Sequence, residues 1–234
     1  LGDVYKRQAL PSVTRAFQTG DSQKLKRTVE AVLRVTCLTA LPMGVGLSVL
    51  AQPAALLIYG ARPGAVIVGR VLTTLGAASV FAALCGPLNS ILQAMGHVEL
   101  PVVLTLIGLF VKAVLDYTLA AVPRVNVLGG AVGTLVCYAL ASVLACIAIR
   151  RIAGVKIDFF STFKKPFLAS VCCGVAALLT HKAWCAVLPE SRFSALPAVF
   201  LGALIYVVFL LIARGICAVS YTHLRAHETS AHLV

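Results

Sequence analysis

Six long apolar segments, separated by short polar links, constrain this chain more than any other feature. Each contains about 20 residues, the length that an α-helix needs to cross the hydrocarbon core of a bilayer. Apolar residues make up 60% of the chain and charged residues 12%, whereas soluble domains are about half apolar and a quarter charged. The sequence therefore predicts an all-α, polytopic membrane bundle of about six spans within residues 35–213. The predicted spans are 35–58, 71–93, 101–122, 128–149, 167–188 and 198–213.

The two ends of the chain differ in composition from the rest. Residues 219–234 contain three of the five histidines, and residues 1–8 are equally unlike the segment that follows. We interpret both ends as non-native tails translated from adaptor sequence and exclude them from the fold. His223 and His227 are spaced for zinc binding on a helix, but Glu228 follows the second histidine instead of the first, as the usual motif requires. No metal site is predicted.

Positive charge is concentrated in alternate links between the spans. The formal net charge is +12, and short loops rich in Lys and Arg favour the cytoplasmic side. The pattern predicts a multi-pass membrane protein, with residues 9–34 forming a basic cytoplasmic segment and both ends of the native segment cytoplasmic. It accounts for the charge without nucleic acid, which we exclude as a partner. Lys or Arg lies at 15, 24, 26, 27, 34, 150, 151, 156, 164, 165 and 214 on one side, and at 62, 70, 124, 182 and 192 on the other.

Local signals predict how some of the helices begin and bend. Asp21 or Ser22 can cap a helix that enters the first span. Pro42 and Pro53 remove backbone donors inside this span, which predicts a kink or an early unwinding. The basic link at residues 150–166 carries apolar and cationic side chains together, so we expect it to lie on the membrane surface.

Lys112 and Asp116 are the most informative residues for function. Both lie in the third apolar span, four residues apart, and therefore project from the same helix face. A charge within a membrane costs about 2.5–3.5 kcal/mol on insertion scales, so such residues usually face a bundle interior or a wet cavity. Two interpretations stand equally. Lys112 either holds a phosphate or carboxylate in a cavity, with Asp116 tuning it, or the two residues form an internal ion pair between packed helices.

Asn89 and Gln93 form a second candidate site at the end of the second span, together with Ser90. Their side chains can contact a sugar or a lipid headgroup. The same residues can also hydrogen-bond one helix to the next, which is the more common role of polar residues in membrane helices.

Four stretches of the chain carry a family resemblance: LPSVTRAFQTGDSQKLKRTVEAVLRVT, LPMGVGLSVLAQPAALLIYG, LNSILQAMGHVELPVVLTLIGLFVKAVLDYTL and VNVLGGAVGTLVCYAL. Over residues 9–213 the chain resembles the polysaccharide-transport branch of the multidrug/oligosaccharidyl-lipid/polysaccharide exporter superfamily, of the stage V sporulation protein B type and related to lipid II flippases. The resemblance implies one lobe, the carboxy-terminal one, of a two-lobed transporter. In this family pattern Lys112 fits well, whereas Asn often stands at the position of Asp116.

The resemblance further implies a flippase or exporter of lipid-linked oligosaccharide or polysaccharide precursors for the cell wall or the spore cortex. Its partners would be the lipid-linked sugar, membrane lipids and an amino-terminal lobe of the same protein. The alternatives are a cation-coupled multidrug efflux transporter, for which Asp116 is the acidic candidate, and a non-transporting scaffold in cell-wall synthesis. The chain has no Gly-rich phosphate loop, nucleophile elbow or paired catalytic carboxylates, so we predict no enzymatic activity and no cofactor.

Overall fold

A computed structural model describes residues 11–60, 62–122, 125–154, 159–187 and Leu204, and structural statements below refer to these residues. Five of its helices are long and apolar enough to cross a membrane. Together with the absence of strands from the described ranges, they confirm the predicted all-α, polytopic membrane bundle. The helices are α1 (residues 11–18), α2 (Ser22–Tyr59), α3 (Pro63–Ala94), α4 (Glu99–Ala120), α5 (Val127–Ala153) and α6 (Phe159–Val187). The predicted sixth span, 198–213, lies outside the described residues except for Leu204, as do the two predicted tails.

The long helices pack in the order α6, α2, α3, α5, α4, so that each contacts its neighbours in this row. α4 stands at one end of the row, packs along α5, and touches α3 only over a short stretch. Pro101 and Gly108 are the buried residues of α4. Most of its apolar surface is therefore available to lipid, while one narrow seam attaches it to the bundle.

The segment before the first predicted span is part of the folded bundle. α1 and the start of α2 bury Val13 and Val29 in a core cluster with Leu88 and Ile149. Residues 9–34 had been predicted as a basic cytoplasmic segment, and the described part of it forms two helices whose apolar side chains close one end of the bundle. α2 begins at this end, and α3 and α5 finish there. We call it the basic end, because Arg34, Arg150 and Arg151 lie close by.

The predicted cap of the first long helix is confirmed. The Asp21 carboxylate accepts a hydrogen bond from the Lys24 backbone N–H over 3.0 Å, and this satisfies one of the free donors at the start of α2. Gly20, at φ +69°, provides the turn between α1 and α2.

Two predicted helix starts and one predicted unwinding are wrong. α3 begins at Pro63 instead of residue 71, because proline fits the first helical position, where its missing N–H is not needed. α6 begins at Phe159 and continues through Pro166, so residues 159–166 extend a spanning helix and are not a separate surface link. α2 is helical through both Pro42 and Pro53. The predicted early unwinding is therefore absent, since a proline removes one hydrogen bond without having to end a helix.

Serine hydroxyls connect neighbouring helices inside the apolar bundle. Ser48 of α2 donates to the Thr73 carbonyl of α3 over 2.9 Å. Ser142 of α5 donates to the Phe81 carbonyl of α3 over 3.1 Å, and its oxygen lies 3.2 Å from the Cys85 sulfur. Such hydrogen bonds fix one helix against the next where lipid offers no partner for a polar group.

Candidate functional site

Lys112, Asp116 and Thr134 form a polar cluster at the seam between α4 and α5. The Lys112 Nζ lies 3.3 Å from the Asp116 Oδ2 and donates to the Thr134 Oγ1 over 2.7 Å. The lysine and aspartate side chains are 30% and 35% exposed, so neither is fully enclosed. The structure therefore brings the two predicted residues together as an ion pair, and it adds a hydroxyl from the next helix.

The hydrogen bonds of Thr134 determine its role in this cluster. Its hydroxyl donates to the Gly130 carbonyl one turn earlier, over 2.7 Å. Because the single hydroxyl proton is used in this bond, the oxygen presents its lone pairs to Lys112. Thr134 thus acts as an acceptor for the cation and cannot donate to Asp116 in this arrangement.

Gly133 makes room for the ion pair. A methyl group at this position would collide with the Asp116 Oδ1 and would lie 3.4 Å from the Lys112 Cγ. The missing side chain allows α5 to pass close to the charged face of α4. Gly108 provides the same clearance on α4, since a methyl group there would lie 3.0 Å from the Cys137 carbonyl oxygen.

The Asp116 carboxylate is not fully satisfied. Its Oδ2 faces Lys112, but its Oδ1 is buried and accepts no hydrogen bond from any residue that the structure describes. A buried acceptor without a partner is unfavourable by about 1–3 kcal/mol. The cluster therefore has unused hydrogen-bonding capacity at the carboxylate, within the span of α4.

Asn89 and Gln93 lie in a different place from the ion pair. They line an open depression of about 330 Å³ between the end of α3 and the start of α4, opposite Thr105. Thr105 and Lys112 are seven residues apart on one face of α4, so the depression and the ion pair are separated by about 10 Å along the helix axis. The four predicted site residues thus form two neighbouring groups, Asn89 and Gln93 between α3 and α4 and the ion pair between α4 and α5, and not a single pocket.

The sequence predicted that Gly129, Gly130 and Gly133 would let a neighbouring helix approach closely, and Gly133 does so at the ion pair. Sequence reasoning missed Thr134 and Thr105. A signal for Thr134 was present, because it follows these glycines in an otherwise apolar helix. What the sequence did not indicate was which helix this region faces. Within the described residues, no three His, Cys, Asp or Glu side chains are grouped so that they could hold a metal ion, and the His223–His227 pair lies outside them.

The fold and the site define a class of protein, namely a multi-pass membrane bundle with a polar, charged site set into its spanning helices. A family comparison then identifies the group within that class. The model of the family described as lipid II flippase MurJ matches residues 7–213, most of the 234 residues. The chain belongs to this family of membrane flippases for lipid-linked cell-wall precursors, within the exporter superfamily expected from the sequence. A search of curated proteins gives no significant match.

Proposed function

We propose that this protein moves an undecaprenyl-pyrophosphate-linked sugar across the bacterial cytoplasmic membrane, and that the segment described here works as one lobe of a two-lobed transporter. The family match and the row of spanning helices support this proposal. The observation that carries it is the Lys112 cation, which lies in the middle of a spanning helix. Charged residues within spanning helices often mark the pathway of a substrate or an ion, and a cation suits an anionic substrate.

Lys112 would bind the pyrophosphate by exchanging one anionic partner for another. Its ammonium has three donors, and the contacts with Asp116 and Thr134 account for two of them. In the absence of substrate, Asp116 neutralises the cation and so reduces the cost of keeping it in the membrane. A pyrophosphate carries more negative charge than a carboxylate and would compete with Asp116 for the same ammonium.

Asn89, Gln93 and Thr105 would contact the uncharged part of the substrate. Amide and hydroxyl groups both donate and accept hydrogen bonds, and they suit sugar hydroxyls better than they suit phosphate. The separation of about 10 Å from Lys112 along α4 allows one extended headgroup to reach both groups. On this proposal, Lys112 at the seam of α4 and α5 recognises the charge, and the depression between α3 and α4 recognises the sugar.

The orientation and the narrower family branch are also proposals. The basic end would face the cytoplasm, because Lys and Arg are more frequent there than at the other end. The resemblance to the stage V sporulation protein B type supports a substrate for the cell wall or the spore cortex. The protein would act by binding and moving the precursor without making or breaking covalent bonds, and so would not be an enzyme.

A comparison of single and double variants tests the role of Lys112. We would introduce Lys112→Leu and the pair Lys112→Leu with Asp116→Leu into the full-length protein, and assay growth of a flippase-depleted strain at equal membrane expression. If Lys112 binds substrate, both variants fail to support growth. If the pair only neutralises itself, the double variant recovers function, since apolar residues replace an internal ion pair without loss. Recovery in the double variant would overturn the proposed role of Lys112.

Transport itself needs a separate measurement. In vesicles that contain the purified full-length protein and a lipid-linked precursor, transport makes precursor on the inner leaflet accessible to a reagent outside. A protein that acts only as a scaffold leaves the inner pool inaccessible, whatever residue stands at position 112. Protein-free vesicles and vesicles with the double variant provide the matched controls.

Cation-coupled drug efflux is less well supported by the site. That function needs an acidic group free to bind a cationic compound, and Asp116 is paired with Lys112. Drug-resistance assays on the full-length protein separate the two functions. Resistance that depends on Asp116 and persists without Lys112 would favour efflux over flipping.

A further inference from the structure

A second cavity lies at the basic end of the bundle, away from α4. It has a volume of about 350 Å³ and is formed between α2, α3 and α5. Its walls come from Leu33 of α2, from Leu84 and Leu88 of α3, and from Val143 and Ile147 of α5. Since no residue of α4 lines this cavity, it is separate from the site proposed for transport.

The interior of this groove suits a hydrocarbon chain. Besides Arg150, the only lining residues with a polar group are Ser142 and Cys146, whose thiol is a weak hydrogen-bonding group. The Ser142 hydroxyl is already committed to the Phe81 carbonyl and the Cys85 sulfur. No strong, unused hydrogen-bonding side chain among these residues therefore faces a ligand inside the groove. Val143 and Ile147 are 52% and 42% exposed, so the groove opens on the outer surface of the bundle, where lipid can enter from the side.

Arg150 places a positive charge on the lining of the same groove. It lies in the last turn of α5, is exposed, and makes no ion pair with any residue in the described ranges. The helix dipole alone favours a cation near a helix C-terminus. It does not account for the apolar groove that lies beside Arg150. Ser142 and Arg150 are eight residues apart, so the groove extends about 12 Å along α5 from the charge into the span.

We infer that this groove binds an anionic phospholipid, with one acyl chain between α3 and α5 and the phosphate held by Arg150. A guanidinium binds phosphate through two parallel hydrogen bonds, and an apolar channel below it takes the chain. Arg34 and Arg151, each next in sequence to a lining residue, add positive charge to the same end of the bundle. Basic pockets between spanning helices are known to select anionic headgroups over neutral ones.

The test measures lipid binding to the purified full-length protein by native mass spectrometry, with phosphatidylglycerol and phosphatidylcholine as probes. Arg150→Gln is expected to weaken phosphatidylglycerol binding about fivefold, which corresponds to about 1 kcal/mol for one arginine near an anionic lipid. Phosphatidylcholine binding should change little. The matched control is Arg70→Gln, which removes an exposed arginine near the start of α3, at the opposite end of the bundle.

A second variant tests the part of the groove that would bind the acyl chain of the lipid. Val143→Trp introduces a large side chain from an exposed position and should reduce phosphatidylglycerol binding while leaving the thermal unfolding midpoint unchanged. If this variant does not fold, glycerol phosphate without acyl chains replaces it as a probe, and the proposal then requires that glycerol phosphate bind far more weakly than phosphatidylglycerol. Equal losses in Arg150→Gln and Arg70→Gln would overturn the proposal. So would unchanged binding in a folded Val143→Trp, or equal binding of the headgroup alone.

Discussion

The Lys112 ammonium of α4 donates a hydrogen bond to the Thr134 hydroxyl of α5 over 2.7 Å. This contact joins α4, which carries the Lys112–Asp116 ion pair, to α5, its one extensive neighbour. Because α4 otherwise contacts the bundle through small residues such as Gly108, the hydrogen bond is a directional element in a seam built mainly from close packing.

Replacing Thr134 by Val should weaken this seam. Valine keeps the shape of threonine but removes the acceptor for Lys112, so we expect the free energy of unfolding to fall by about 0.6–1.7 kcal/mol, the range for hydrogen bonds between membrane helices. The measurement is a denaturant titration of the protein in bicelles. Thr134→Ser retains the hydroxyl and is the control. A Thr134→Val protein as stable as the parent would contradict a stabilising role for this hydrogen bond.

Replacing Gly133 by Ala should disrupt the site sterically. The added methyl group collides with the Asp116 carboxylate, so the aspartate or the whole of α5 must move, at a cost of about 1–3 kcal/mol. Gly130→Ala is a matched control on the same helix, because a methyl group there meets no atom within 4 Å. In the same unfolding assay Gly130→Ala should be neutral or slightly stabilising. A stable Gly133→Ala protein would contradict the close approach of α4 and α5.

Replacing Ser142 by Cys should create a cross-link between α5 and α3. The Ser142 oxygen lies 3.2 Å from the Cys85 sulfur, so a second sulfur at position 142 comes close to bonding distance. We would oxidise the variant with its other cysteines replaced by alanine, and cut the chain at a protease site inserted between α4 and α5. The two fragments should remain joined on a non-reducing gel. Fragments that separate as fully as those with Cys85→Ala would contradict the α3–α5 contact.

Replacing Asp21 by Ala should loosen the start of α2. The carboxylate caps the Lys24 N–H, and loss of such a cap costs about 1 kcal/mol. Hydrogen exchange of the first amides of α2 should therefore accelerate by several-fold, while amides in the middle of the helix keep their rates. Asp21→Asn preserves an acceptor and should exchange more slowly than the alanine variant. Identical hydrogen-exchange rates in the two variants would contradict the capping role of Asp21.

Much of the fold could be predicted from sequence, because the property that determines it is local. An apolar run of about 20 residues has few alternatives to a spanning helix, and the four-residue spacing of Lys112 and Asp116 is enough to predict that they face the same way. The helix bounds were harder. Polar residues such as Arg70, and the basic residues before Phe167, lie inside helices that continue beyond the apolar core.

The arrangement of the site could not be predicted, since it depends on which helices are neighbours. α4 follows α3 along the chain, yet it packs mainly on α5. For this reason Thr134 joined the Lys112 cluster, while Asn89 and Gln93 line a separate depression. Nothing in the spacing of residues within one helix specifies such a choice of partner.

The position of both charges of the ion pair on α4 has a consequence for biosynthesis. α4 leaves the ribosome before α5, so Lys112 reaches the bilayer before Thr134 does. Its counter-ion is four residues away on the same helix, and the pair can therefore form as soon as that turn is helical. The helix brings its own neutralising group into lipid, and insertion of this charged segment does not have to wait for the rest of the bundle.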